Sequence, residues 1–224
     1  MKHSFERSWY KYNNLEKELV DSTRYVPLMN SHNIVWSEFL GDLLVKVGNT
    51  IDSFFRFAYT NDTGKPHSSC DINNFRDFFE PKYQLSGVLV EAAYGLTEYG
   101  SIKPFKEFNS NIKPKWWDAY NHVKHEWFDC LQEATLENTL NALAGLFILN
   151  ILYKESQKHL IRSSDVFFAD YLRKEDIEKA LKDSYIGVPI KCKNFNFVAR
   201  TQLFTHILRI DENIIGSEIY YVNR

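Results

Sequence analysis

The sequence contains few of the residues that would mark an extracellular or metal-stapled protein. Among its 224 residues there are three cysteines, Cys70, Cys130 and Cys192, which lie far apart and form no CxxC pair. This spacing argues against a disulfide framework and against a cysteine-based zinc site, and it fits a reducing compartment. We therefore expect a cytoplasmic protein.

Long hydrophobic runs and a large excess of one charge are also missing. The longest apolar run, 142–153, is interrupted by Asn150 and is shorter than the ~20 residues that cross a bilayer. The N-terminal stretch MKHSFERSWYKYNN carries charge throughout, unlike a signal peptide. The formal net charge is -2, so no overall field attracts nucleic acid or an anionic membrane. We expect no membrane association, and any contact with nucleic acid must be local.

Helical periodicity is the main pattern that the sequence does contain. Apolar residues recur at three- and four-residue steps over 31–59, 114–131 and 135–158, which predicts three amphipathic helices. The first is expected to begin near Ser31. Because 142–149 is apolar almost all round, the helix that contains it should be the most enclosed element.

The segments between and after these helices are less regular. Residues 71–99 predict two helical pieces, with interruptions at Pro81 and Gly87. Residues 100–114 have the composition of a loop. Beyond Ser163 a charged segment at 173–182 predicts another helix, and alternation at Phe195, Phe197 and Ala199, and again at Ile219 and Tyr221, predicts short strands.

These patterns together predict a mainly α protein. We expect a helical bundle over 1–163. Residues 164–224 are expected to form a small C-terminal α+β extension with a short helix and strands.

One predicted helix carries polar groups suited to phosphate chemistry. It reads PKWWDAYNHVKHEWF from Pro114. Asn121 and His125 are four residues apart and share a face, with Lys124 and Trp117 in the same sector. An imidazole exchanges protons near neutral pH, an amide can fix a hydroxyl or a phosphate, and an ammonium offsets phosphate charge. Metal-independent RNA cleavage requires groups of these kinds.

The YNHVKH motif, the ATLENTLNALAGLFIL helix after it and the long helix before it resemble the HEPN superfamily of helical-bundle nucleotide-binding domains. The resemblance covers about 31–158 and implies that these residues form the core of an up-and-down bundle. It implies a homodimer that binds RNA or a nucleotide, in a defence or toxin–antitoxin setting. Members with ribonuclease activity carry an arginine, often followed by asparagine, then three residues and a histidine.

On this pattern His125 matches the histidine and Asn121 the polar residue after the arginine, whereas Tyr120 stands at the arginine position. An arginine is permanently charged and binds phosphate with two parallel hydrogen bonds, and a phenol does neither. Lys124 offers a cation one turn further on, without the planar fork. The resemblance implies His125 and Asn121 as catalytic residues, no metal and no cofactor, and a binding set that comprises Lys124, Tyr120, Trp117 and Lys115.

Several alternatives remain open at this point. His125 is equally well explained as a structural histidine, and the His122 to His125 spacing can also ligate a metal. Asp52 and Arg56 either face the polar helix or form a surface salt bridge. Lysines and aromatic residues alternate from 103 to 117, which fits either a stacking surface for single-stranded nucleic acid or a solvated loop with core anchors. The whole chain could equally be a non-catalytic interaction or regulatory module with a protein partner.

Overall fold

The computed structural model describes residues 4–66, 70–92, 101–160, 166–168 and 194–211. In these ranges most residues are helical, which confirms the prediction of a mainly α fold. The helices are α1 (Ser4–Ser22), α2 (Glu38–Thr63), α3 (Ile72–Tyr83), α4 (Lys115–His125), α5 (Trp127–Cys130), α6 (Leu136–Leu152) and α7 (Lys154–Leu160). The strands are β1 (Val90–Ala92), β2 (Ser101–Ile102), β3 (Val166–Phe168), β4 (Asn194–Arg200) and β5 (Phe204–Asp211).

Helix α6 is the centre of the bundle, and α1, α2, α4 and α7 pack around it. Every residue from 142 to 151 is buried, which confirms that this helix is the most enclosed element. Gly145 leaves room for the rings of Phe105 and Trp116, which would lie 3.2 and 3.4 Å from a Cβ at that position. Small residues on α6 therefore let aromatic side chains reach the centre of the core.

Helix α2 begins later than the predicted Ser31. Its first residue is Glu38, and the hydroxyl of Ser37 caps it by accepting a main-chain N–H of the first turn at 3.1 Å. The preceding residues serve another helix, because the carbonyl groups of Asn33 and Val35 accept the first two amides of α6 at 3.1 and 2.8 Å. A helix over 31–37 would remove these acceptors.

The second helical piece predicted within 71–99 is wrong over 84–92, which contain no α-helix, and its remaining residues, 93–99, lie outside the described ones. Gln84 adopts a left-handed conformation, with φ of 48°, and ends α3. The chain then makes a short 3-10 turn at Leu85–Gly87 and enters β1. Strand β1 pairs with β5, which lies more than a hundred residues later in the chain, so tertiary pairing overrides the local helical pattern.

The helix predicted over 114–131 ends at His125. At Glu126 the backbone leaves the helical conformation, with φ of -132° and ψ of 50°, and α5 follows in a new direction. This change brings Trp127 and Leu131 against α2 at Gly41, where a Cβ would lie 2.8 and 2.6 Å from their side chains. Absence of a side chain at Gly41 allows the close approach.

The helix predicted over 135–158 is also divided. Helix α6 ends at Leu152, and Tyr153 is extended, with ψ of 120°. The Tyr153 hydroxyl donates to Asp62 Oδ1 at 2.6 Å and accepts from Asn61 Nδ2 at 2.9 Å. These bonds hold the end of α6 to the end of α2, and α7 begins directly afterwards.

The described strands form one antiparallel sheet in the order β2-β1-β5-β4-β3. Strand β4 confirms the prediction from Phe195, Phe197 and Ala199, and it pairs with β5 over its whole length. Strands β1 and β2 come from the region predicted as bundle, so the sheet joins segments from both sides of residue 163. The predicted helix at 173–182 and the predicted strand near Ile219 lie outside the described residues.

Helix α1 is an element that the sequence patterns above did not identify. It buries Phe5, Trp9, Tyr12 and Leu19, which recur at helical spacing. Trp9 and Tyr12 both pack on Phe147 of α6, with ring centroids 6.3 and 5.7 Å away. In the described ranges, no helix combines the length and the apolarity that spanning a bilayer requires.

Candidate functional site

The predicted polar helix α4 lies across α2 at one close contact. The ring of Tyr120 covers Gly48, where a Cβ would lie only 2.2 Å from a ring carbon. Tyr120 is 1% exposed, so its ring belongs to the core. The residue at the arginine position of the resemblance therefore packs between two helices, and only its hydroxyl reaches polar surroundings.

That hydroxyl joins the two helices through hydrogen bonds. It donates to Asn49 Oδ1 of α2 at 2.9 Å and accepts from Lys124 Nζ of α4 at 2.9 Å. Burial raises the pKa of Tyr120 above its ordinary value, although the hydrogen bond from Lys124 and its charge act in the opposite direction. The phenol is therefore neutral at physiological pH, and it positions the ammonium group without neutralising it.

Asp52 and Arg56 lie one and two turns beyond Asn49 on α2, close to the same phenol. Arg56 Nε donates to Asp52 Oδ2 at 2.8 Å, and this bond raises the pKa of Arg56. Both groups act electrostatically on the Tyr120 hydroxyl. We call Asn49, Asp52, Arg56, Tyr120 and Lys124 the Tyr120 cluster. With one carboxylate and two cations it has a formal charge of about +1.

The two residues predicted to be catalytic lie at the exposed end of α4. His125 is the last residue of the helix and is exposed, and within the described part of the chain its ring has no hydrogen bond or ion pair. Asn121 is half-buried, and its amide donates to the Trp117 carbonyl of its own helix at 2.8 Å. His125 is thus available to a ligand, whereas one Asn121 donor is already used.

Trp117 and Lys115 do not join this group. Trp117 is 6% exposed and packs edge-on against Tyr120, with ring centroids 5.2 Å apart, so it supports the cluster from the core. Lys115 is exposed at the first position of α4, whereas Lys124 lies in the last turn. At ~1.5 Å of rise per residue the two lysines are about 13 Å apart along the helix axis.

The aromatic residues of the 103–117 segment are core anchors rather than a stacking surface. Phe105, Phe108 and Trp116 are all at most 2% exposed. Trp116 also donates its indole N–H to the Pro104 carbonyl at 2.6 Å. The neighbouring lysines are exposed without an accessible ring beside them.

His122 takes part in a surface ion pair with a carboxylate. Its Nδ1 lies 2.9 Å from Glu133 Oε2, and this contact raises the pKa of His122. The ring points away from the buried side of α4. No group of three or more histidine, cysteine or acidic side chains suited to a metal ion occurs among the described residues.

A groove between α1 and α2 lies beside the Tyr120 cluster, and the sequence patterns above did not indicate it. Its volume is about 420 Å³, and Asn49 belongs to both features. The α1 wall carries Arg7 and Lys11, and the α2 wall carries Asn49, Thr50 and Ser53. The four-residue spacing of Arg7 and Lys11 was the available signal, but it has meaning only once α1 is recognised as a helix.

Comparisons with known proteins give this chain no relative. No protein-family model, no curated protein sequence and no solved structure matches it.

Proposed function

We propose that this protein is a HEPN-like helical bundle that binds RNA or a nucleotide at the Tyr120 cluster and the adjoining end of α4. The observation that carries the proposal is the position of Lys124. Its ammonium is exposed and held 2.9 Å from a neutral phenol, and it makes no ion pair with a carboxylate in the described ranges. A positioned cation of this kind suits a phosphate group.

The surroundings of Lys124 support a ligand with several polar groups. His125 follows directly in the sequence and is exposed, and Asn49 is an exposed amide on the facing helix. An imidazole and an amide can bind the hydroxyl and phosphate groups of a nucleotide. Arg56 remains paired with Asp52, so its main contribution is to the local field.

Ribonuclease activity is the more specific form of this proposal. In such a reaction the neutral imidazole of His125 accepts the proton of a ribose 2′-hydroxyl, and the oxygen attacks the adjacent phosphorus. The 5′-oxygen leaves with a proton from water, which gives a 2′,3′-cyclic phosphate. The HEPN resemblance implies a homodimer, and the exposed end of α4 is open to approach by a second copy of the chain.

One group of exposed residues favours a second candidate function, a non-catalytic interaction module. Ile34, Trp36 and Phe39 precede or begin α2 and are 79%, 51% and 41% exposed. Exposed large apolar side chains close together in sequence are typical of a surface that contacts another protein. This surface is separate from the Tyr120 cluster, which begins ten residues later on α2.

Binding is tested with a fluorescein-labelled single-stranded RNA of about ten nucleotides, a length that covers one site of this kind. We expect Lys124→Gln to weaken binding by about tenfold at low salt, because it removes a phosphate contact. Lys65→Gln, which removes an exposed lysine just beyond the other end of α2, is the matched control and should bind like the wild type. Wild-type protein that binds no RNA would refute the proposal.

Cleavage is tested separately with unlabelled mixed RNA in the presence of EDTA. If the protein is a ribonuclease, the wild type should give products with cyclic phosphate ends and His125→Ala should give none. The thermal stability of His125→Ala should equal that of the wild type, which shows that the variant is folded. If RNA binds without being cleaved, the protein is a binding module. Light scattering of the purified chain, with and without RNA, reports whether the active species is a dimer.

A further inference from the structure

The groove between α1 and α2 combines two unneutralised cations with an aromatic floor. Arg7 and Lys11 lie one helical turn apart on α1 and both line the groove. In the described part of the chain neither forms an ion pair or a hydrogen bond. Other exposed cations nearby differ, because Lys17 pairs with Asp21 at 2.6 Å and Lys46 pairs with Glu18 at 2.8 Å.

Among the residues that the structure describes, no carboxylate lines this groove, although the whole chain has a net charge of -2. Arg7 and Lys11 therefore give the groove a formal charge of about +2 against the overall sign of the protein. Two cations four residues apart on a helix repel each other slightly, and a bound anion relieves that repulsion. The arrangement thus favours an anionic ligand.

The floor of the groove supplies an apolar, partly open ring. Phe5 and Phe54 are buried, whereas Phe57 is half-buried and contacts Phe5 with ring centroids 4.8 Å apart. A half-buried ring at the groove surface can pack against a planar base. The volume of about 420 Å³ falls within the range of small-ligand sites and is enough for one nucleotide.

The opposite wall supplies neutral hydrogen-bonding groups. Ser53 and Asn49 are exposed on α2, and Asn49 also accepts the Tyr120 hydroxyl. A ligand in the groove therefore lies next to the Tyr120 cluster, with Asn49 between the two. The groove thus matches the three parts of a nucleotide. The charged wall suits the phosphate, the aromatic ring suits the base, and the neutral polar wall suits the sugar.

We propose that the groove between α1 and α2 is a subsite for single-stranded RNA, which extends the strand that the Tyr120 cluster binds. Arg7 and Lys11 hold backbone phosphate, Phe57 contacts a base, and Asn49 with Ser53 contacts the sugar or the base edge. This inference rests on the proposed function, since both sites serve one strand.

The test measures anisotropy of the same labelled RNA over a range of salt concentrations. The double variant Arg7→Gln/Lys11→Gln should weaken binding by about tenfold. It should also make the slope of log K against log salt concentration shallower by about 1.4, since each lost single-strand phosphate contact accounts for ~0.7 of that slope. The matched control, Lys17→Gln/Arg24→Gln, removes the same charge from exposed residues at or beyond the C-terminal half of α1 that do not line the groove. It should retain most of the affinity.

A second pair of variants tests occupation of the groove independently of charge. Ser53→Trp places a large side chain into the groove from an exposed helical position and should weaken RNA binding strongly, whereas Ser53→Ala, which removes one hydroxyl and leaves the groove open, should weaken it only slightly. Equal weakening by both charge-removing double variants, or unchanged binding by Ser53→Trp, would overturn the subsite. Complete competition by polyglutamate would also overturn it, because the groove would then select any anion.

The outcomes separate the two proposals. If Lys124→Gln weakens binding but the groove variants do not, the subsite fails and the proposed function stands. If the groove variants weaken binding and Lys124→Gln does not, RNA binds without the Tyr120 cluster, which overturns the continuous path. If the wild-type protein binds no RNA, both fail.

Discussion

The ring of Tyr120 lies directly over Gly48, with no room for a side chain between α4 and α2. This contact sets the distance between the two helices and positions the hydroxyl that joins Asn49 to Lys124. The glycine on α2 and the tyrosine on α4 therefore form a single structural unit.

The first prediction concerns Gly48→Ala. A Cβ there would lie 2.2 Å from the Tyr120 ring, so the helices must separate. At a contact this short the overpacking cost lies near the upper end of its usual range of about 1–3 kcal/mol. Alanine regains ~1 kcal/mol over glycine in a helix, so we expect a net loss of about 2 kcal/mol. Urea denaturation measures it. Gly87→Ala is the control, because among the described residues no atom beyond its two chain neighbours lies within 4 Å of a Cβ at that position.

A double-mutant cycle identifies the contact responsible. Tyr120→Leu removes the ring, so Gly48→Ala should cost less in that background than in the wild type. If the cost of Gly48→Ala is the same in both backgrounds, the loss arises elsewhere in α2.

The second prediction concerns Tyr120→Phe. The variant keeps the ring over Gly48 and removes the hydroxyl between Asn49 and Lys124. Both partners reach solvent, so we expect a loss of about 1 kcal/mol, the usual value of one net hydrogen bond. RNA affinity should fall less than in Lys124→Gln, because the ammonium remains but is less well positioned. Parallel denaturation and anisotropy measurements compare the two effects.

Burial of Tyr120 also changes what an arginine at this position would do. From the resemblance alone, Tyr120→Arg would restore the phosphate-binding residue. In the structure the side chain is 1% exposed and lies beside Lys124, so a guanidinium would bury a charge next to a like charge. We expect this variant to be destabilised by about 3 kcal/mol, which the same denaturation assay would detect.

The sequence predicted the strongly periodic elements, and it failed where partners are distant. The buried face of α6 and the left-handed end of α2 at Gly64 follow from local pattern, because burial and a positive φ have direct signatures. Strand β1 does not follow from local pattern. Its conformation depends on pairing with Phe204 and Thr205 in β5.

The candidate site was predictable to a similar extent. Spacing in α4 placed Lys124 beside Asn121 and His125, but it could not show that Trp117 is core or that the helix ends at His125. Asn49 has no sequence signal, because its role arises from the contact between α2 and α4.

The fourth prediction concerns Asp62, whose side chain is 7% exposed. Desolvation tends to raise its pKa, but hydrogen bonds from Tyr153, Lys82 and Asn61 outweigh that effect and lower it. A lowered folded-state pKa gives stability that is present above the unfolded value and is lost as the pH falls through the folded value. The contribution should therefore be complete at neutral pH and disappear as the pH falls below about 4.

Comparison of Asp62→Asn with the wild type tests this contribution. We expect a loss of about 1.5–3 kcal/mol at pH 7, the value of hydrogen bonds to a charged group, and a difference that shrinks in acid. Asp77→Asn is the control, since that carboxylate is 65% exposed in its pair with Arg76 and should contribute little. A difference that is the same at pH 7 and in acid would contradict the assignment.

The last prediction concerns Glu16, a carboxylate of α1 that is 3% exposed. It accepts the Tyr12 hydroxyl at 2.8 Å and the Leu203 amide at 2.9 Å, and it also accepts the Thr201 hydroxyl in the turn between β4 and β5. Glu16→Ala removes the buried carboxylate that these donors share, so we expect a loss of about 3 kcal/mol. Hydrogen exchange of Leu203 and the adjoining strands should accelerate more than exchange in α6, because Glu16 holds the hairpin to α1. Glu18 lies two residues further along α1 and forms a surface pair with Lys46. Glu18→Ala should therefore change neither the stability nor the exchange rates appreciably. Uniform acceleration across the sheet and α6 would instead mean that Glu16 stabilises the whole bundle and has no particular role in attaching the hairpin.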